Sequence, residues 1–260
     1  MSNLILYEAR PPAVIITLNR ADKRNALSRE LIDALAGAFT RARDDADARC
    51  VILAAAGPVF CAGMDLAELQ EALAVPDDAS PVWADALRLA KLYDLIYTLP
   101  KPTIAAVQGS AVAGGAGLVT VCDLALAVPE ARFGYPEVRR GLVAAMVMPH
   151  LMRHVGERLA RYLLLTGELI DAAAALHGGL VNEVVPAAGL MQRAHALGQS
   201  LAEGAPQALA KTKEYLYLFS RQAVSIEEAA KGSAAPRLTE ECQLGLRAFF
   251  AKQPVPWRGQ

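Results

Sequence analysis

Neither sign of charge dominates this sequence. Twenty-six lysines and arginines are set against 27 aspartates and glutamates, a formal net charge of -1. That excludes a global basic field for nucleic acid, and an anionic ligand has to be met by a local site. Aromatic residues are scarce, 6% beside an apolar fraction of 54%, so alanine, valine and leucine carry the packing, as in α/β proteins with many close helix–sheet contacts. No apolar run reaches membrane-spanning length uninterrupted, so no membrane partner is expected. Glu8 and Arg10 come early and no cleavage pattern follows them, so a cytoplasmic location is expected. No C-x-x-C pair links Cys50, Cys61, Cys122 and Cys242; the expectation is buried free thiols in a reducing compartment. Cys61 lies beside a glycine turn, where a nucleophilic role is conceivable, but no histidine or acid is near it in sequence. His150, His154, His177 and His195 form no ligand grouping, and the His150/His154 pair lacks the H-E-x-x-H glutamate, so no metal is expected. Phosphate-loop and dinucleotide fingerprints, tandem repeats and low-complexity tracts are missing as well.

What is present is a pair of small-residue segments, each following an apolar, strand-like run. Phe60-Cys61-Ala62-Gly63-Met64-Asp65-Leu66 follows Cys50 to Ala56, and Gly109 to Gly117 follows Thr103-Ile104-Ala105-Ala106-Val107. Small residues at a strand end leave backbone N–H groups bare, and bare N–H groups hold negatively charged oxygen. Two aimed at one point make an oxyanion hole, which suits chemistry on a thioester carbonyl.

Strands are expected at 4–8 and 14–18 around a Pro11-Pro12 turn, then a helix N-capped by Ser28, with Leu31, Ile32, Leu35 and Phe39 at helical spacing. Further strands are expected at 50–56, 103–107, 124–128 and 180–185, and helices over about 65–73 and 82–98. The stretch Val75-Pro76-Asp77-Asp78-Ala79-Ser80-Pro81 reads as a mobile loop. From Met148 the pattern is mostly helical. A mixed β/α part over 1–188 and a helical region over 189–260 is the expected division.

With these residues in view, the chain resembles the crotonase superfamily, the enoyl-CoA hydratase/isomerase family. The resemblance runs through Leu18-Asn19-Arg20, Asn25-Ala26-Leu27, the two glycine segments, Cys122-Asp123 and Phe133-Gly134-Tyr135-Pro136-Glu137. It continues through Leu165-Thr166-Gly167 and Gly179-Leu180-Val181-Asn182-Glu183-Val184-Val185. It implies an α/β fold, a crotonase-like spiral of ββα units with a C-terminal helical region, assembled as a homotrimer or hexamer. It implies acyl-CoA thioester substrates of the kind met in fatty-acid β-oxidation, with coenzyme A as part of the substrate and no permanently bound cofactor. The implied oxyanion donors are the N–H groups of Ala62 and Gly114. Gly63, Met64 and Asp65 line the same turn and touch the acyl-CoA, and Lys23, Arg24 and Ala26 lie in the loop beside the nucleotide. For Lys23 and Arg24 the plain alternative is a solvated basic loop.

Better-known hydratases of the family use two glutamates. Here the first position is Gly117, and the second is retained as Glu137. Glu137 is the candidate acid/base; in an apolar pocket its pKa would rise toward neutrality. The alternative is a surface glutamate capping a turn. Gly141 to Pro149 is bulkier and more apolar than the glycine-rich run of many relatives, implying a narrowed or greasy acyl pocket, with Met146 and Met148 as wall or as core filler. The closing stretch Leu246 to Lys252 resembles a last helix that covers a neighbour's CoA site; Phe249 and Phe250 are expected as core contacts.

Three functions compete. The first is an enoyl-CoA hydratase with one glutamate, nearest in pattern to methylglutaconyl-type hydratases, which it resembles in the glycine at 117 and in Pro136 to Val143. The second is an enoyl-CoA isomerase, in which a lone carboxylate moves a proton from carbon 2 to carbon 4 without water. The third is a non-catalytic acyl-CoA-binding protein.

Overall fold

The computed structural model describes residues 4–74, 79–220 and 226–254. The chain opens with β1 (Ile5–Arg10) and β2 (Ala13–Leu18), an antiparallel pair, followed by α1 (Arg29–Asp44). Ser28 caps α1, its hydroxyl accepting from Leu31 N–H at 3.2 Å; Leu31, Leu35 and Phe39 form the buried stripe. Then come β3 (Cys50–Ala55), β4 (Val59–Cys61), α2 (Leu66–Leu73) and α3 (Ser80–Tyr97). The expected loop at 75–81 falls partly outside the described residues, and Ser80 and Pro81 already belong to α3.

The middle of the chain repeats one theme. β5 (Thr103–Val107) and β6 (Ser110–Val112) lead into α4 (Gly114–Thr120); β7 (Leu124–Ala127) and β8 (Arg132–Gly134) lead into a 3₁₀ turn at Pro136–Arg140 and α5 (Met148–Thr166). Each unit gives one long strand to one sheet and one short strand to another. β9 (Leu169–Asp171), α6 (Ala172–His177) and β10 (Glu183–Val184) close this part. The large sheet has the order β1-β2-β3-β5-β7-β10, and the small one β4-β6-β8-β9. All pairings are parallel except β1/β2 and β8/β9. The second strand of each ββα unit belongs to the small sheet; its three-residue strands carry no periodic signal of their own, so none is among the strands read from the residues. β10 is also shorter than the run read at 180–185.

The remaining helices are α7 (Leu190–Ala202), α8 (Pro206–Ser220), α9 (Ile226–Ala234) and α10 (Glu240–Ala251). α7 packs on β3 and β5, and α9 packs on α3. Lys213 on α8 reaches back to Asp123 at 2.5 Å. β3 and β5 sit in the centre, covered on both faces, and so read as continuous apolar runs. Because β4 and β6 run parallel and side by side, with Cys61 opposite Ala111, their C-terminal ends emerge together at one edge. That edge is where the two glycine segments turn.

Candidate active site

The two turns touch. Gly63 has φ 90°, a conformation that favours glycine. A Cβ built there would lie 2.8 Å from Ala113 Cβ and 3.2 Å from Gly114 N. A Cβ on Gly115 would lie 2.2 Å from the Cys61 carbonyl oxygen. Only bare backbone permits this approach. Ala113 sits at φ 53°, ψ -126°, unusual for a residue with a side chain; its N–H donates to Gly134 O at 2.8 Å, which holds it there. Gly114 N–H then opens α4, and no side chain caps it.

The other expected donor is differently placed. Ala62 N–H donates to the Arg24 carbonyl at 3.1 Å, so in this structure it is not the bare donor expected of it. The reason is local. Arg24 and Asn25 both take left-handed backbone (φ 53° and 52°), folding the 20–26 loop over the first turn. Asn25 pins that loop: Nδ2 donates to Ala56 O (2.9 Å) and Val59 O (2.8 Å), and Oδ1 accepts from Arg20 N–H (2.9 Å). Leu27 N–H to Gly63 O (2.8 Å) and Asp65 N–H to Leu27 O (3.1 Å) complete the clamp.

A cavity of ≈ 460 Å³ opens beside the turns. Lys23, Arg24 and Ala26 line it from the loop, Ala62, Met64 and Asp65 from the first turn, Gly114 from the second, and Glu137 from the 3₁₀ turn after β8. Gly63 stands behind this wall, against Ala113. Leu142, Val143, Ala144, Met146 and Val147 form an apolar side, while Met148 begins α5 away from the wall. Phe249 and Phe250 are not core contacts. They are 41% and 42% exposed and lie on the cavity wall, edge to face at 5.4 Å. Cys242 and Leu246 hold α10 to Leu69 and Leu142, and the two phenylalanines carry that stripe past the core.

Glu137 is no solvated turn cap. Its Oε2 is buried and accepts no hydrogen bond among the described residues. Burial pushes its carboxyl up to about 7, against the opposing pull of its own N–H and of Arg140 and Arg237. The other carboxylate on the inner wall is committed. Asp65 N-caps α2 and pairs with Arg20 at 2.6 Å. Burial raises its carboxyl, but the Arg20 bond and backbone donors outweigh that and hold it below its ordinary value. Glu68 accepts from Arg29 N–H at 2.8 Å.

Two site residues escape sequence reasoning. Tyr93 on α3 is buried, lines the cavity and donates its hydroxyl to Gly114 O at 2.7 Å. A Cβ on Gly117 would lie 2.5 Å from Tyr93 Oη, 2.8 Å from its Cζ and 2.6 Å from Val147 Cγ1. The space beside position 117 is thus filled by a phenol. Arg237 is 2% exposed; Nη2 donates to Ser233 Oγ at 2.9 Å, and Nη1 has no partner among the described residues. Burial lowers its pKa to about 10, opposed by Asp85, Cys242, Tyr93 and Glu137. Asp85 is itself tied to Arg29 and Arg88. An aromatic at a helical core position and an arginine in a helical stretch carry no mark of function in a sequence.

Cys61 is buried, its Sγ lies 3.0 Å from Asn25 O, and burial pushes its thiol up to about 12, which rules out a thiolate nucleophile near neutral pH. His154 Nε2 lies 2.8 Å from Thr120 O, and His150 packs edge-on against Tyr97. Among the described residues no three potential metal ligands gather, and no helix is long and apolar enough to cross a membrane.

Comparison with known proteins identifies the family. The Enoyl-CoA hydratase/isomerase family model matches residues 11–260. A Thermus thermophilus protein, named provisionally as an enoyl-CoA hydratase, is 41% identical over 244 residues, covering 92% of this chain and 95% of that protein. Enoyl-CoA hydratase EchA19 of Mycobacterium tuberculosis is 36% identical over 259 residues, 95% of this chain and 94% of its own. The crystal structure of an enoyl-CoA hydratase from Mycobacterium avium superimposes with a TM-score of 0.86 at 32% identity, over 99% of this chain and 100% of the other.

Proposed function

The chain belongs to the enoyl-CoA hydratase/isomerase family, and we propose on that footing that it is a single-glutamate enoyl-CoA hydratase. One observation carries the reading: the abutting turns, Gly114 with its uncapped N–H, and Glu137, whose buried Oε2 has no partner among the described residues, line one cavity. The thioester oxygen of a 2-enoyl-CoA would accept from Gly114 N–H. Ala62 N–H joins as second donor by sharing or exchanging its 3.1 Å bond to Arg24 O. Both donors bind most tightly where charge is largest, in the enolate-like transition state, and each contributes ~3 kcal/mol of activation free energy. Glu137, ionised, accepts the proton of the attacking water and returns it to carbon 2. A carboxylate with a pKa near neutrality exchanges protons in both directions at working pH.

Lys23 and Arg24 at the cavity rim meet the CoA phosphates, and Ala26, Met64 and Asp65 line its path. No cofactor beyond the substrate's own coenzyme A takes part. The family resemblance also supports a cytoplasmic homotrimer or hexamer. Residues 189–260 supply much of the contact, and fatty-acid β-oxidation is the matching metabolic setting. Exposed apolar side chains such as Leu165 (69%) and Leu216 (61%) favour burial between subunits.

The second reading is an enoyl-CoA isomerase. It is favoured by the lack of a carboxylate at 117, where Tyr93 and Val147 leave no room for one. Hydration of crotonyl-CoA and isomerisation of 3-hexenoyl-CoA, assayed side by side, separate the readings. Hydration as the faster reaction is expected. Isomerisation without detectable hydration would overturn the proposal, and tight acyl-CoA binding without either turnover would point to a binding protein.

A further inference from the structure

If the chain is a hydratase, as proposed above, a single carboxylate has to be reconciled with the geometry of the attacking water. A water attacks through a lone pair. It presents that lone pair to carbon 3 when both of its protons are donated elsewhere, so two acceptors are needed. Glu137 Oε2 is one, buried and without a partner among the described residues. The other has to face the same cavity, stand close to the oxyanion turn and have a lone pair to spare.

Tyr93 meets each condition. Its hydroxyl proton is already given to Gly114 O at 2.7 Å, which leaves the oxygen as an acceptor. A Cβ on Gly114 would lie 3.1 Å from Tyr93 Oη, so the phenol oxygen abuts the residue that supplies the uncapped N–H. Of the other acceptors on the wall, Asp65 is paired with Arg20 and Ser233 accepts from Arg237, while Asp22 stands in the exposed turn beside Lys23, at the rim. Tyr135 is buried but off the cavity wall. We propose that Tyr93 Oη is the second acceptor of the attacking water, a neutral hydroxyl taking the place of a second carboxylate.

The step balances without ionising Tyr93. Water donates one hydrogen bond to Tyr93 Oη and one to the Glu137 carboxylate. The water oxygen bonds to carbon 3, the carbon 2–carbon 3 π pair becomes the carbon 1–carbon 2 bond of an enolate, the carbonyl π pair moves onto the thioester oxygen, and the proton facing Glu137 passes to the Glu137 carboxylate. The enolate then collapses, carbon 2 takes that proton, and a 3-hydroxyacyl-CoA leaves with Glu137 ionised again. Burial keeps the Tyr93 hydroxyl well above its ordinary pKa, consistent with a role as a fixed neutral group.

The test is Tyr93→Phe, read in two reactions. Crotonyl-CoA hydration requires a held water; deuterium exchange at carbon 2 of butyryl-CoA in heavy water requires only Glu137 and the amide donors. Losing one water ligand predicts a fall of about 10- to 100-fold in hydration kcat, with KM and the exchange rate changed less than about threefold. Gly117→Ala, which pushes directly on Tyr93 Oη, should give the same selective loss. Unchanged hydration in Tyr93→Phe overturns the inference and leaves the hydratase reading standing. Equal loss of both reactions also overturns it, since Tyr93 would then act only by supporting Gly114. A wild-type enzyme that never hydrates fails the parent reading instead.

Discussion

Glu137 is an acid whose setting has been arranged from both directions. Desolvation raises its pKa, while two guanidinium groups, Arg140 and Arg237, restrain the rise. In the proposed cycle the ionised form starts hydration, so kcat/KM should climb as pH passes through about 7 and level off above it. Arg237→Met removes one restraining charge, so the rising limb should move to higher pH in a pH–rate profile; an unmoved limb would mean that Arg237 does not act on Glu137. The same shift has a stability cost of definite sign. The folded pKa lies above the unfolded one, so the group stabilises the fold fully only below the unfolded value of 4.5, and that contribution is lost as pH rises through about 7. Glu137→Gln should therefore be more stable than wild type at pH 8, by up to roughly 3 kcal/mol. The advantage should fade by pH 5 in parallel thermal melts.

Among the elements, the decisive event is the meeting of two strand-to-helix turns. β4 and β6 deliver both turns to one edge, and Gly63 and Gly115 let backbone rest on backbone. Gly63→Ala meets both Ala113 Cβ and an unfavourable φ. It should cost about 1–3 kcal/mol of stability, and it should depress kcat more than acyl-CoA affinity, measured by steady-state kinetics beside calorimetric binding. Much of this element-level arrangement is legible in the sequence. The apolar runs of β2, β3 and β5, the Ser28 cap and the glycine signature each have a local cause. The small sheet does not, since β4, β6 and β8 owe their existence to the longer strands that precede them. Nor does the bond from Ala62 N–H to Arg24 O, which depends on left-handed backbone at two non-glycine residues. Tyr93 reads as core because burial and function use the same helical position. Phe249 and Phe250 read as core because a stripe does not reveal where the core beneath it ends.

At the scale of the whole molecule, the helices after β10 are fastened to the sheets through α7 on β3, α9 on α3 and Lys213 on Asp123. α9 and α10 also bring Ser233, Phe249 and Phe250 to the cavity, so its wall is built from both ends of the chain. Apolar side chains are left open on α5, β9 and α8, and in the proposed assembly they would be buried between subunits. Sedimentation equilibrium should return three or six times the chain mass of 27.6 kDa; a monomer at micromolar concentration would exclude the expected assembly.

The most direct measurement of the central claim is crotonyl-CoA hydration by Glu137→Gln, with butyryl-CoA affinity followed in the same preparation. A carboxylate that shuttles the proton against a pair of turn amides predicts a loss of at least about 100-fold in kcat with affinity intact. Turnover close to wild type in that variant would contradict the account.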